Sequence, residues 1–195
     1  MNKQHIAAFF NCRAAEWDSR MVRNESAIAS ILDNGGIRAG VDVLDVACGT
    51  GVLFPDYLSR GVNSITGVDL SSEMVNIASK KFPEENVLVF CGDIETISLS
   101  RYFDCCIIYN AFPHFFDPAN LIGRLARFLK PGGRLSVAHG MSRELVDHLH
   151  KGPANHVSLQ LMSSDELATL FAPYFDVDIV IDSEQLYQVS GKKKQ

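Results

Sequence analysis

From residue 41 onward the chain alternates short β-branched or apolar runs with stretches of helical periodicity, the pattern of βαβ units on a parallel sheet. The runs at 41–46, 64–69, 87–90, 103–110 and 134–138 read as strands, and the amphipathic stretch 71–81 reads as a crossover helix between the second and third. Unbroken apolar character through Cys105, Cys106, Ile107 and Ile108 predicts burial on both faces, hence a central strand. A helix is expected over 119–129, closed by Lys130-Pro131-Gly132-Gly133, where the helix cannot continue and the chain must turn. The last third changes style. Ser163-Ser164-Asp165-Glu166 signals a helix start, and 175–182 and 185–190 read as two strands of a terminal hairpin joined tightly at Ser183-Glu184. Residues 4–34 read as two helices, one carrying Phe9, Phe10 and Trp17. With no internal repeat, low-complexity tract or linker, the 195 residues are expected to form one α/β domain around a doubly wound sheet.

Composition narrows the partners. A chain with 47% hydrophobic and 21% charged residues is neither disordered nor fibrous. Its net charge of −5 argues against sequence-independent nucleic-acid binding, which depends on cations neutralising phosphates. The only basic run, Lys192-Lys193-Lys194, reads as a solvated tail. No segment approaches the ~20 apolar residues of a membrane span, and the first twenty residues lack the features of a signal peptide. Five cysteines, an odd number set mostly in apolar runs, read as small core residues in a reducing compartment, so a cytoplasmic location is expected.

The sharpest feature is Leu44-Asp45-Val46-Ala47-Cys48-Gly49-Thr50-Gly51, a buried strand running into a glycine turn and then a helix. Gly49 and Gly51 permit a tight bend and close approach of the backbone to a ligand, although a turn with no ligand has the same appearance. The partner that discriminates is Asp69, a carboxylate at the tip of the next strand, placed to accept both hydroxyls of a ribose. The third glycine of a dinucleotide loop is absent, since Leu53-Phe54-Pro55 follows Gly51. A second strand-tip carboxylate, Asp93, stands in Cys91-Gly92-Asp93-Ile94.

On these residues the chain resembles the class I S-adenosylmethionine (SAM)-dependent methyltransferases, in the group that includes small-molecule enzymes of the ubiquinone/menaquinone type. The resemblance covers about Val41 to His139 and rests on Asp45–Gly51, Gly67-Val68-Asp69-Leu70-Ser71, Gly92-Asp93-Ile94 and Leu129-Lys130-Pro131-Gly132-Gly133, in that order. It departs at Ala47, where many members carry glycine. It implies a Rossmann-like sheet of seven strands, mostly parallel with an antiparallel C-terminal hairpin strand, and SAM as cofactor with S-adenosylhomocysteine (SAH) as product. It further implies that Asp45, Ala47, Cys48, Gly49, Thr50 and Gly51 bind the cofactor, with Gly49 and Gly51 passing under the methionine portion. Asp69 would hold the ribose and Asp93 the adenine amino group, with Leu70, Met74 and Ile94 against the adenine and Asn110 near the carboxyl end. Core packing is the other reading of Met74. Residues 1–34 would form a helical lid, 41–140 the cofactor-binding core, and 141–195 the substrate side.

Ligands of open α/β sheets gather at the C-terminal strand ends, which directs attention to the loops at 109–115 and 139–143. His114 and His139 are the candidate catalytic residues, as base, acid or hydrogen-bond donor, against the alternative that each is satisfied by backbone. Phe112, Phe115 and Trp17 are candidates for the acceptor pocket. Arg143 is placed to hold a substrate anion or to pair with Asp147 one turn along a helix. His148 and His150, two positions apart, point away from each other on a helix and cannot share a metal; His139 with one of them is the alternative left open, and since no cysteine or carboxylate cluster has ligand spacing no metal site is assigned. The expected activity is SAM-dependent methylation of a small molecule. Methylation of nucleic acid is disfavoured by charge and by Asn110-Ala111-Phe112-Pro113, which lacks the Asn/Asp-Pro-Pro-aromatic pattern of amine methylation; a non-catalytic SAM-binding subunit is the rival from another class.

Overall fold

A computed structural model describes residues 2–151 and 156–195. Seven strands form one sheet in the order β3-β2-β1-β4-β5-β7-β6. β1 (Asp42–Val46), β2 (Ser64–Asp69), β3 (Val87–Cys91), β4 (Phe103–Tyr109) and β5 (Leu129–His139) run parallel. β7 (Tyr187–Lys193) is antiparallel to both β5 and β6 (Phe175–Asp182). The fold is therefore the expected Rossmann-like α/β sheet, with β4 at its centre.

Alternation along the strands decides which helices cover which face. Leu44, Val46, Cys106 and Ile108 join one apolar core with Leu121, Ile122 and Leu125 of α6 (Pro118–Phe128) and with Leu167 and Phe171 of α8 (Ser164–Phe171). Val43, Cys105 and Ile107 point the other way, into a core with Ile28, Ile31 and Leu32 of α3 (Glu25–Asn34) and Phe54 and Tyr57 of α4 (Phe54–Ser59). A strand buried on both faces needs apolar residues at every position, which is what β4 supplies. Between β2 and β3 runs α5 (Ser72–Lys81), whose start is capped by the Ser71 hydroxyl accepting the Met74 N–H.

Four expectations are corrected. The N-terminal region holds three helices, not two, because the chain breaks at Cys12–Arg13 between α1 (Lys3–Asn11) and α2 (Ala14–Arg20), and Asn24 caps α3 separately. Phe9 and Phe10 thus sit on α1 and Trp17 on α2, with the Phe10 and Trp17 rings edge to face at 5.6 Å. Lys130-Pro131-Gly132-Gly133 is a bulge inside β5: Leu129, fully buried, already pairs beside Phe103 before the ladder resumes at Arg134 opposite Cys105. Lys192 and Lys193 belong to β7, and the Lys193 Nζ donates to the Leu129 carbonyl, so neither is a loose tail. Cys48, Cys105 and Cys106 are buried, whereas Cys12 and Cys91 are exposed, and all five are free. Among the described residues no helix is long and apolar enough to cross a membrane.

Candidate active site

The C-terminal ends of the parallel strands surround a cavity of about 650 Å³, and α1 and α2 form its opposite wall. Into it face Asp45, Ala47, Cys48 and Gly49 from the tip of β1, Asp69 and Leu70 from β2, Gly92, Asp93 and Ile94 after β3, Tyr109 and Asn110 from β4, and His139 from β5.

The loop after β1 folds back because Gly49 (φ 56°) and Gly51 (φ 79°) adopt left-handed backbone. Ala47 shares that region at φ 56°, an uncommon conformation for a residue with a Cβ, at the position where the related enzymes often carry glycine. Asp69 holds the loop in place: its Oδ2 accepts the Gly49 N–H at 2.9 Å and its Oδ1 the Ser71 N–H at 2.8 Å. Burial raises the Asp69 pKa and these two donors oppose the rise. Each carboxylate oxygen keeps a second lone pair for a ligand hydroxyl. Asp45 is buried behind the loop, where the Tyr57 hydroxyl donates to it at 3.1 Å; burial pushes its pKa up to about 7, with the Asp69 charge adding to the rise. Leu70, Met74 and Ile94 line the cavity, but Met74 and Ile94 are also core residues, so packing and a ligand wall are served by the same side chains.

The two N-terminal helices are tied to the cofactor side by polar contacts. The Lys3 ammonium binds Asp93 at 2.7 Å and also Glu95, while the second Asp93 oxygen accepts the Glu95 N–H at 2.9 Å. The Asn11 Oδ1 accepts the Ser71 hydroxyl at 2.6 Å. The Asp18 carboxylate accepts the Thr50 hydroxyl at 2.5 Å and Lys81 Nζ at 2.6 Å. Thr50 and Gly51 consequently do not line the cavity: Thr50 is spent on α2, and Gly51 is packed against the Phe54 and Phe82 rings.

The other half of the cavity is aromatic and imidazole-rich, with Phe9, Phe10, Trp17, Phe115 and Phe116 beside His114, His139 and His150. His114 sits at the end of a 3-10 turn (Phe112–His114), where Nδ1 lies 2.9 Å from the Val157 carbonyl and 3.1 Å from the Ser158 hydroxyl. Burial lowers its pKa to about 4. His139 is fully enclosed, its Nε2 has no hydrogen-bond partner, and burial reinforced by the neighbouring His150 and His114 lowers its pKa to about 3. Both imidazoles are neutral at pH 7, so neither is a resident acid.

Of the remaining expected residues, Trp17 and Phe115 reach the cavity and Phe112 and Arg143 do not. Phe112 is packed in the core. Arg143, at the start of α7 (Arg143–His150), pairs with Asp182 at 3.3 Å, while Asp147 accepts the Leu161 N–H instead. Asn110 lines the cavity in left-handed backbone (φ 53°), and its Oδ1 accepts the Gly140 N–H at 3.0 Å, bracing the tip of β4 against that of β5. Tyr109, Arg13 and His150, to which the sequence assigns no acceptor or cofactor role, also line the cavity, together with Phe9 and Phe10 of the expected lid; His150 figures in the sequence only as a candidate metal ligand beside His139. The signal for His150 was its place one turn after the buried Val146, on the inward face of α7, where His148 is exposed. No group of three or more His, Cys, Asp or Glu among the described residues is arranged to hold a metal ion.

A family model described as "Methyltransferase domain" matches residues 44–137. The malonyl-[acyl-carrier protein] O-methyltransferase of Priestia megaterium is 33% identical over 139 residues, covering 69% of this chain and 51% of that enzyme. The ubiquinone biosynthesis O-methyltransferase of Coxiella burnetii is 33% identical over 99 residues, 49% of this chain and 42% of that one. The chain thus spans about half the length of these curated relatives. Among solved structures, a DhpI–SAH complex superposes with a TM-score of 0.76 at 18% identity, covering 98% of this chain and 97% of that one, a likeness of fold. Strand order, glycine loop, strand-tip carboxylates and these matches agree: the chain belongs to the class I SAM-dependent methyltransferases.

Proposed function

We propose that this protein transfers the sulfonium methyl group of SAM to an oxygen of a small-molecule acceptor. The observation that carries the reading is the single cavity in which the Asp69-braced glycine loop and Asp93 face three imidazoles. Asp69 accepts the ribose hydroxyls through its free lone pairs, and the Gly49 segment passes under the methionine portion. Asp93 takes the adenine amino group in company with Lys3, and Leu70, Met74 and Ile94 flank the ring. Bound SAM supplies an already activated methyl group, so the protein's task is alignment, exclusion of water and removal of a proton. α1 and α2 act as the lid through the Lys3, Asn11 and Asp18 contacts, with Trp17 and Phe10 closing the acceptor side. His114 and His139, neutral and enclosed, stand at the acceptor. Oxygen as the methylated atom is supported by the two relatives, both O-methyltransferases.

The test is incubation of the purified protein with methyl-labelled SAM and a fractionated metabolite extract. The expected result is label in a small molecule, dependent on Asp69. Saturable SAH binding with no labelled product from any fraction would instead make the chain a SAM-binding subunit.

A further inference from the structure

The imidazoles of His114 and His150 come from different elements, yet they are held in the same way. His114 Nδ1 lies 2.9 Å from the Val157 carbonyl, and His150 Nδ1 lies 2.7 Å from the Val146 carbonyl. A carbonyl only accepts, so in each ring Nδ1 carries the hydrogen and, in the neutral form, Nε2 carries a lone pair. The two rings meet edge to face at 5.3 Å between centroids, and both line the cavity. Phe10 packs edge-on to His114 at 5.0 Å, and Trp17 packs on Phe10. The result is an aromatic slot whose neighbouring rings stand edge to face, and in which each neutral imidazole keeps its Nε2 lone pair.

Fixed positive charge around the slot is otherwise engaged. Of the cations that line the cavity, Lys3 is paired with Asp93 and Glu95, and Arg20 with Glu16. Arg13 stacks its guanidinium on the Phe9 ring, 3.6 Å from the centroid, and donates to the Phe9 carbonyl at 3.0 Å. A carboxylate acceptor brings a negative charge and no hydrogen, and it gains nothing from two imidazole lone pairs. A phenol brings a planar ring, an O–H to donate and an acidity within reach of an imidazole base, which an aliphatic alcohol lacks.

Resting on the proposed methyl transfer, we propose that His114 and His150 form the proton-accepting wall of the acceptor site and that the group methylated is a phenolic hydroxyl. As the phenol oxygen forms its bond to the methyl carbon, the carbon–sulfur bond pair stays on sulfur, leaving a neutral thioether. The O–H proton passes to an imidazole Nε2, and the imidazolium so formed keeps its Nδ1–H on the backbone carbonyl. His150, half-exposed in the last turn of α7, is the member of the pair that returns the proton to solvent.

The test uses the full chain with histidine side chains labelled with ¹⁵N and SAH bound, SAH binding having first been measured by calorimetry. Long-range ¹H–¹⁵N spectra are expected to show the hydrogen on Nδ1 of both rings. Titration with phenol should move the Nε2 signals of both, and sodium acetate at equal concentration should leave them still. His150→Phe, which keeps a ring but removes the lone pair, should weaken phenol binding about fivefold, the loss of one hydrogen bond, with SAH affinity unchanged within about twofold. Nε2 signals that respond to acetate and ignore phenol would overturn the proposal and point to Arg13 as a carboxylate holder, leaving the methyltransferase reading intact. Failure to bind SAH at all would overturn that reading and this one with it.

Discussion

The carboxylate of Asp69, at the tip of β2, accepts the Gly49 N–H at 2.9 Å and so fixes the glycine loop at the tip of β1. The residue expected to read the ribose is therefore also the residue that shapes the glycine loop. Its other oxygen holds the Ser71 N–H, just ahead of the α5 helix, so one side chain ties two backbone segments to the tip of β2.

The two loop glycines differ in what an added methyl group would meet. A Cβ at Gly49 has nothing within 4 Å, whereas one at Gly51 would lie 2.7 Å from the Phe82 ring and 2.8 Å from the Phe54 ring. Gly49→Ala should cost only the left-handed backbone penalty, about 1–2 kcal/mol. Gly51→Ala adds overpacking and should cost about 2–4 kcal/mol. Urea unfolding of both variants checks the order, and equal losses would contradict it.

Ala47 carries the same left-handed strain that glycine relieves at no steric cost. Ala47→Gly should remove about 1–2 kcal/mol of strain and add about 0.5–1 kcal/mol of unfolded-state entropy, ending at least as stable as the wild type. A drop in the unfolding midpoint would show that the Ala47 methyl group packs more than it strains.

Much of this arrangement is readable in the sequence, and the misses have physical causes. The unbroken CCII run placed β4 at the sheet centre, and Asp69 and Asp93 stood at strand tips because each ends an apolar run. The bulge in β5 was hidden because Lys130-Pro131-Gly132-Gly133 carries every local mark of a turn; only the tertiary pairing of Leu129 with Phe103 makes it part of a strand. Arg143 and Asp147 have ideal helical spacing, yet Asp182 on β6 and the Leu161 N–H outcompete that local pair. His150 could not be told from His148 until the inward face of α7 was known.

His139 gives a pH dependence whose sign is fixed. Its folded pKa, lowered to about 3 by burial, lies below the ordinary value of 6.5. Its neutral form is therefore favoured by folding; the stability is complete above about pH 6.5 and is lost as pH falls from there toward 3. Between pH 7 and pH 5 the wild type should lose about 2 kcal/mol more than His139→Phe, measured by urea unfolding. Asp45, raised to about 7, acts in the opposite direction but equally in both proteins. Parallel stability curves would mean that His139 is not enclosed.

The strap over the glycine loop can be loosened without touching the cavity lining. Asp18→Ala removes the partner of both Thr50 and Lys81. Because the carboxylate is 41% exposed, the global cost should be under about 1 kcal/mol. Amide exchange in α2 should accelerate about two- to fivefold, with β4 amides unchanged, as read by hydrogen-exchange mass spectrometry. Uniform acceleration across the chain would indicate that α2 opens only with global unfolding.

The central claim, a SAM pocket organised by Asp69, is tested most directly by calorimetric titration of the wild type and Asp69→Ala with SAH and with NAD. The account predicts saturable SAH binding, no NAD binding, and a loss of roughly 2–4 kcal/mol of SAH affinity in the variant, from two charge-assisted ribose hydrogen bonds. NAD binding without SAH binding, or a variant that binds SAH as tightly as the wild type, would contradict it.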